Sequence, residues 1–178
     1  DYFNSEISGQ FNVITAKRQP GSAFKPLVYA AALKQKYSPS FILYDLPTKF
    51  NNYEPNNFDG RFRGPVTMRE ALGQSLNIPA VKTMALVGVK EAMKTSADLG
   101  ITTLDSPEKY GLSLVLGAAE VKPIELAQAY GVFAHAGVRQ DITSIVKIQD
   151  KNGKVLEEFD SQKEGKKVLD AQIAFQIS

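Results

Sequence analysis

Ser22 and Lys25 stand three residues apart in the run Pro20-Gly21-Ser22-Ala23-Phe24-Lys25-Pro26. On a helix that spacing sets two side chains one turn apart on the same face. A serine hydroxyl is a weak nucleophile and needs a base beside it. An amine serves as that base once burial lowers its pKa from about 10.4 towards neutrality. Ala23, Phe24, Pro26 and Leu27 supply apolar surroundings for the amine. A helix beginning here also offers unpaired backbone N–H groups to a developing oxyanion. The spacing itself is not specific, because Ser-x-x-Lys occurs three times, at Ser22/Lys25, Ser106/Lys109 and Ser144/Lys147. The second copy lies beside Pro107 in a predicted loop and the third in a predicted strand. Only the first has a turn running into a helix. A second pair, Ser75 and Asn77, ends a predicted helix with a hydroxyl that can relay a proton and an amide that can hold a carbonyl. Helix-ending turns favour Ser and Asn without any chemistry.

The elements that must position these residues are mostly helical. Gly21 permits a sharp entry turn, and the alanine- and leucine-rich run to about residue 37 is a strong helix former. Pro26 fits only the first turn, which places Ser22 at or just before the helix N-terminus. Residues 38–66, rich in Pro, Asn, Asp and Gly, read as loop. Thr67-Met68-Arg69-Glu70 reads as a capping box opening a helix that ends near residues 73–77. Pro79 starts the next helix, with Gly88 after its end, and another covers about Lys90 to Leu99 before Gly100. Pro123 to Ala136 is a helix closed by Gly137, with Ile124, Ala127, Tyr130, Phe133 and Ala134 as its apolar stripe. Residues 142–149 and 154–159 flank Asn152-Gly153 as a β-hairpin. Residues 160–167 are charged and loop-like. Asp170 caps a short final helix carrying Ile173, Ala174 and Ile177 on one face. Asp1-Tyr2-Phe3 follows no recognisable element, and the sequence reads as a segment of a longer protein.

Composition excludes several classes. The 178 residues suffice for one domain with a sizeable core. Apolar residues make up 43% and charged residues 22%, as in ordinary globular domains. The 21 basic and 19 acidic residues balance too closely to argue for nucleic acid. With no cysteine and His135 the only histidine, no disulfide framework, Cys–His dyad or zinc site can be built, and no cofactor is expected. No apolar run is long enough to span a bilayer.

The segment Arg18 to Pro26 resembles the nucleophile segment of class A penicillin-binding proteins, the bifunctional cell-wall synthases. Gly64 to Leu72 followed by Ser75-Leu76-Asn77-Ile78-Pro79-Ala80-Val81-Lys82 resembles their second motif, and Tyr53-Glu54-Pro55-Asn56-Asn57 the loop before it. Leu112 to Gly117 and Glu120 to Ala127 resemble the stretch leading into the later helix. The likeness runs in order over nearly the whole chain, and the same motif set characterises penicillin-recognising serine enzymes generally. It implies that residues 1–178 form part of a transpeptidase domain. The fold would be α+β, of the penicillin-binding/β-lactamase-like type, mostly helical here with a late β-hairpin and much of the central sheet outside the chain. Ser22 would form the acyl-enzyme, Lys25 act as base, Ser75 relay a proton to the leaving amine and Asn77 hold the substrate amide. Peptidoglycan stem peptides and β-lactam antibiotics would be the ligands. The intact protein would be membrane-anchored, acting outside the cytoplasmic membrane. The family's third motif, Lys-Thr-Gly, is absent: Lys82-Thr83 is followed by Met84 and Lys94-Thr95 by Ser96. Without the sheet, the Ser22 helix, the stripe of the later helix and the hairpin would pack on one another, swap with a neighbour or expose an apolar patch, so self-association, a complementing chain or a piece cut from a larger ordered structure is expected. A β-lactamase or penicillin-sensor relative, and a non-catalytic piece serving in folding or assembly, are the alternatives.

Overall fold

The computed structural model describes residues 2–160 and 165–178. Asp1 and part of the charged 160–167 stretch lie outside the described residues.

Helix α1 (Lys25–Lys34) forms the centre of the molecule. Leu27, Val28, Tyr29, Ala30, Ala31 and Ala32 are all buried, so the helix is enclosed around its whole circumference. Its sequence is apolar on every side, and such a helix belongs inside a core. It is entered through a 3₁₀ turn, Gly21–Phe24, and Pro26 falls in the first α-helical turn, where a missing N–H costs nothing.

Around α1 pack α3 (Asn77–Val87), α4 (Val89–Leu99) and the terminal α6 (Ala171–Ile177). Helix α2 (Met68–Gly73) begins with the expected capping box: the Thr67 hydroxyl accepts from Glu70 N at 3.2 Å, and Glu70 Oε2 accepts from Thr67 N at 2.7 Å. Helix α5 (Pro123–Ala134) lies against α4 and α6. Asp170 Oδ1 caps α6 through Gln172 N at 2.7 Å, and Ala174 on its inner face is buried.

The strands form three separate antiparallel pairs: β1 (Ile42–Asp45) with β2 (Gly64–Thr67), β3 (Val138–Arg139) with β6 (Lys166–Lys167), and β4 (Lys147–Gln149) with β5 (Val155–Glu158).

Several expectations need correction. The 38–66 stretch is not all loop, because β1 and β2 pair at its two ends. The apolar run Phe41-Ile42-Leu43-Tyr44 carried that signal, with Leu43 and Asp45 turned inwards. Lys166 and Lys167 likewise form a strand rather than loop. Asn77 opens α3, two residues before Pro79, instead of ending α2. Ser106 precedes a 3₁₀ turn at Pro107–Lys109, and Ser144 lies outside the hairpin strands, which are shorter than expected. Helix α5 stops at Ala134, and its buried positions are Glu125, Ala129, Val132 and Phe133. Of the predicted stripe only Phe133 is buried; Ala127, Tyr130 and Ala134 are exposed. Two faces of α5 are apolar, so periodicity could not choose between them. Of the outcomes open for the Ser22 helix, packing of the chain's own helices on one another is the one observed, since α3, α4 and α6 enclose α1.

Candidate active site

The segment carrying Ser22 is held on both sides. Arg18 and Val121 exchange two backbone hydrogen bonds of 2.9 Å, and Gln19 Nε2 donates to Ala118 O at 3.3 Å. On the far side the Tyr130 hydroxyl donates to Ala23 O at 2.9 Å. Between these anchors, Gly21 (φ +58°) lies against Gly117 (φ +75°). A Cβ on Gly117 would fall 2.1 Å from Gly21 O and 2.3 Å from Gly21 N, so glycine is the one residue that fits. The outcome is an exposed Ser22 in the opening of the 3₁₀ turn. The first N–H groups of a helical turn have no partner within it, which leaves the Ser22 amide available to an oxyanion.

Lys25, one turn further, is buried to 1% exposure. Its Nζ donates to Ser75 O at 2.6 Å, to Asn77 Oδ1 at 2.8 Å and to Ser75 Oγ at 3.1 Å. These partners come from 50 and 52 positions along the chain. Burial pushes the Lys25 ammonium down from its ordinary value to about 8. Three acceptors match the three N–H bonds of an ammonium. In the neutral amine two N–H bonds remain for Ser75 O and Asn77 Oδ1, which can only accept. The lone pair then faces the Ser75 hydroxyl, which can donate. Among the described residues no hydrogen bond joins Lys25 Nζ to the Ser22 hydroxyl.

Ser75 sits at the α2–α3 junction with φ +53°, the left-handed region. For a residue with a Cβ this costs about 1–2 kcal/mol. The conformation turns both its carbonyl and its hydroxyl to one ammonium, and such strain survives where surrounding contacts fix it. Asn77 is oriented from behind: its Nδ2 donates to Asn56 O at 2.9 Å, leaving Oδ1 towards Lys25.

The structure therefore brings Lys25, Ser75 and Asn77 into direct contact and keeps Ser22 one turn away on the same entry segment. Lys109 and Lys147 instead pair with Asp105 and Glu158 on the surface. Sequence reasoning missed Tyr130 and Gly117 as supports of this site. Tyr130 belongs to the apolar stripe expected for the later helix, and nothing in the local sequence pairs Gly117 with Gly21. Among the described residues no group of three or more His, Cys, Asp or Glu side chains could hold a metal ion.

Residues 4–178 match the family described as penicillin binding protein transpeptidase domain, and the chain belongs to that family. Its relatives fall in the class A group. The chain is 38% identical over 172 residues to penicillin-binding protein 1F of Bacillus subtilis (strain 168), an alignment covering 94% of this chain and 23% of that protein. In fold it is similar to the crystal structure of penicillin-binding protein 1A from Haemophilus influenzae, with a TM-score of 0.81 and 29% identity over 96% of this chain and 30% of that one. It is also similar to the penicillin-binding protein PonA1 from Mycobacterium tuberculosis, with a TM-score of 0.83 and 23% identity over 94% of this chain and 47% of that one. The chain thus spans less than half of either solved chain and under a quarter of the curated relative. The α+β transpeptidase fold expected from the sequence is the fold observed.

Proposed function

We propose that this chain supplies the nucleophile, the base and the proton relay of a peptidoglycan D,D-transpeptidase that β-lactams acylate. The observation that carries the reading is buried Lys25, held by Ser75 and Asn77 one turn behind an exposed serine at a helix entry. Rotation about the Cε–Nζ bond turns the lone pair of neutral Lys25 from the Ser75 hydroxyl to Ser22, and it takes the Ser22 proton as Oγ attacks the carbonyl carbon of the D-alanyl-D-alanine peptide bond. The Ser22 amide is one donor to the oxyanion. As the tetrahedral intermediate collapses, the Ser75 hydroxyl gives its proton to the departing D-alanine amine and is refilled from the Lys25 ammonium. Asn77 Nδ2, with one N–H on Asn56 O, has a second for the substrate amide carbonyl. The amine of a second stem peptide then attacks the acyl-enzyme and releases Ser22, which closes the cross-link. A second oxyanion donor and a cation for the terminal carboxylate would come from a Lys-Thr-Gly strand, a motif this sequence does not contain. Among the described residues no helix is long and apolar enough to cross a membrane. Action at the outer face of the cytoplasmic membrane would therefore rest on an anchor elsewhere in the intact protein.

The test is covalent labelling of a chain long enough to hold the complete domain. Fluorescent penicillin should modify Ser22, and Ser22→Ala should abolish labelling with the fold retained. An adduct mapped by mass spectrometry to Ser75 or elsewhere would overturn the reading.

A further inference from the structure

Behind the site lies a polar pair with no role in the chemistry above. Asp45, at the inner end of β1, is fully buried, and Asn57 is 6% exposed. Asn57 Nδ2 donates to both Asp45 oxygens, at 2.8 and 2.9 Å, and to Arg61 O at 2.8 Å. Arg63 N donates to Asp45 Oδ2 at 3.0 Å, with the Arg63 guanidinium 4.0 Å away. Lys82 Nζ, on α3, donates to Tyr44 O next to Asp45 at 2.5 Å. A buried carboxylate this well surrounded is retained only where its contacts compensate its desolvation.

The other end of Asn57 faces the site. Its Oδ1 accepts from Asn77 N at 2.9 Å and from Ile78 N at 3.3 Å. Helix α3 has no side-chain cap of its own, since its N-cap residue is Leu76. Asn57 therefore caps α3 from a separate loop, while the adjacent Asn56 carbonyl fixes the Asn77 amide. Main chain and side chain of Asn77 are both set by this one dipeptide, and Asp45 fixes the dipeptide in turn.

We infer that Asp45 and Asn57 are positioning residues that brace the Ser75-Leu76-Asn77 segment against Lys25 and thereby set the rate of acyl transfer. The inference rests on the proposed function. Because Ser75 is held strained and all three Lys25 acceptors, at 2.6–3.1 Å, lie on this segment, releasing the brace lets them drift. A displacement of about 1 Å in a reacting group costs up to about a hundredfold in rate.

The experiment uses the complete domain, fluorescent penicillin and rapid mixing. It separates the saturating acylation rate, the dissociation constant of the complex preceding acylation, and the final labelled fraction. Asn57→Ala should lower the saturating rate about ten- to a hundredfold, with the dissociation constant changed by less than about threefold. A purely structural role would instead lower the labelled fraction and leave the rate constant of the folded remainder alone. Should Asn57→Ala fail to fold, the nearly isosteric Asp45→Asn decides, with a smaller drop in rate expected at full labelled fraction. Unchanged saturating rates in the folded variants would overturn the inference. Labelling that survives Ser22→Ala would instead sink the proposed function, so the two failures are distinguishable.

Discussion

Replacing Gly117 by alanine should slow acylation without touching any group that does chemistry. The added Cβ would stand 2.1 Å from Gly21 O and 2.6 Å from Gly21 C, closer than real Cβ contacts come. Relieving this requires about 1 Å of relative movement between the Gly117 and Gly21 segments. The Arg18–Val121 pair holds the chain before Gly21 and the Tyr130 bond to Ala23 O holds it after, so what movement this segment takes up is concentrated at Gly21 and Ser22. Overpacking costs about 1–3 kcal/mol, and φ +75° adds about 1–2 kcal/mol for a residue with a Cβ. Such a penalty either shifts the nucleophile or lowers stability. A shift of about 1 Å at the attacking oxygen predicts a loss of up to about a hundredfold in acylation rate. The assay is the rate of fluorescent-penicillin labelling in the complete domain, read beside the melting temperature. Gly88→Ala is the control, because Gly88 has φ +83° but nothing within 4 Å of a built Cβ. It should cost stability alone. If Gly117→Ala labelled as fast as the parent, or Gly88→Ala slowed labelling equally, the close approach would not be what positions Ser22.

Under the proposed mechanism only the neutral amine of Lys25 accepts the Ser22 proton, so the acylation rate should rise with pH through an apparent pKa near the value of about 8 that burial gives Lys25; roughly a tenth of the sites are then neutral at pH 7, and a flat profile between pH 6 and 9 would exclude Lys25 as the base. For stability, the folded-state pKa lies below the unfolded one, so the unfolded chain binds more protons between them, and urea titrations should show stability increasing from pH 8 towards 10 in the parent more than in Lys25→Met. Thr67→Ala removes the capping box of α2 and should cost about 1 kcal/mol, or about 2–4 °C in melting temperature; an unchanged midpoint would mean that the bonds from Met68 N to Phe41 O and Arg69 N to Pro39 O suffice. These 178 residues alone should react with penicillin at least about a hundredfold more slowly than a chain extended through a Lys-Thr-Gly strand, and comparable rates would show that the second oxyanion donor is dispensable.

Local rules marked out much of this protein from the sequence alone. The Gly21 entry turn, Pro26 in the first helical turn, the Thr67–Glu70 capping box, the Asp170 cap and the Asn152-Gly153 turn are encoded within a few residues, by backbone freedom or a neighbouring hydrogen bond, and each formed where expected. The Ser22–Lys25 spacing and the Ser75-Leu76-Asn77 motif are likewise local, and they single out the residues of the proposed site. What local rules could not decide is which face meets which. Helix α5 is apolar on two sides, so only packing against α4 and α6 selected Ala129, Val132 and Phe133 for burial and left Tyr130 to reach Ala23 O. Pairing β1 with β2 joins segments about twenty residues apart through a composition that reads as loop. The contact of Lys25 with Ser75 and Asn77, the clearance at Gly117 and the Asp45–Asn57 brace all depend on distances between segments far apart in the chain. Such distances are fixed by tertiary packing, because no short-range propensity carries information about a partner fifty residues away.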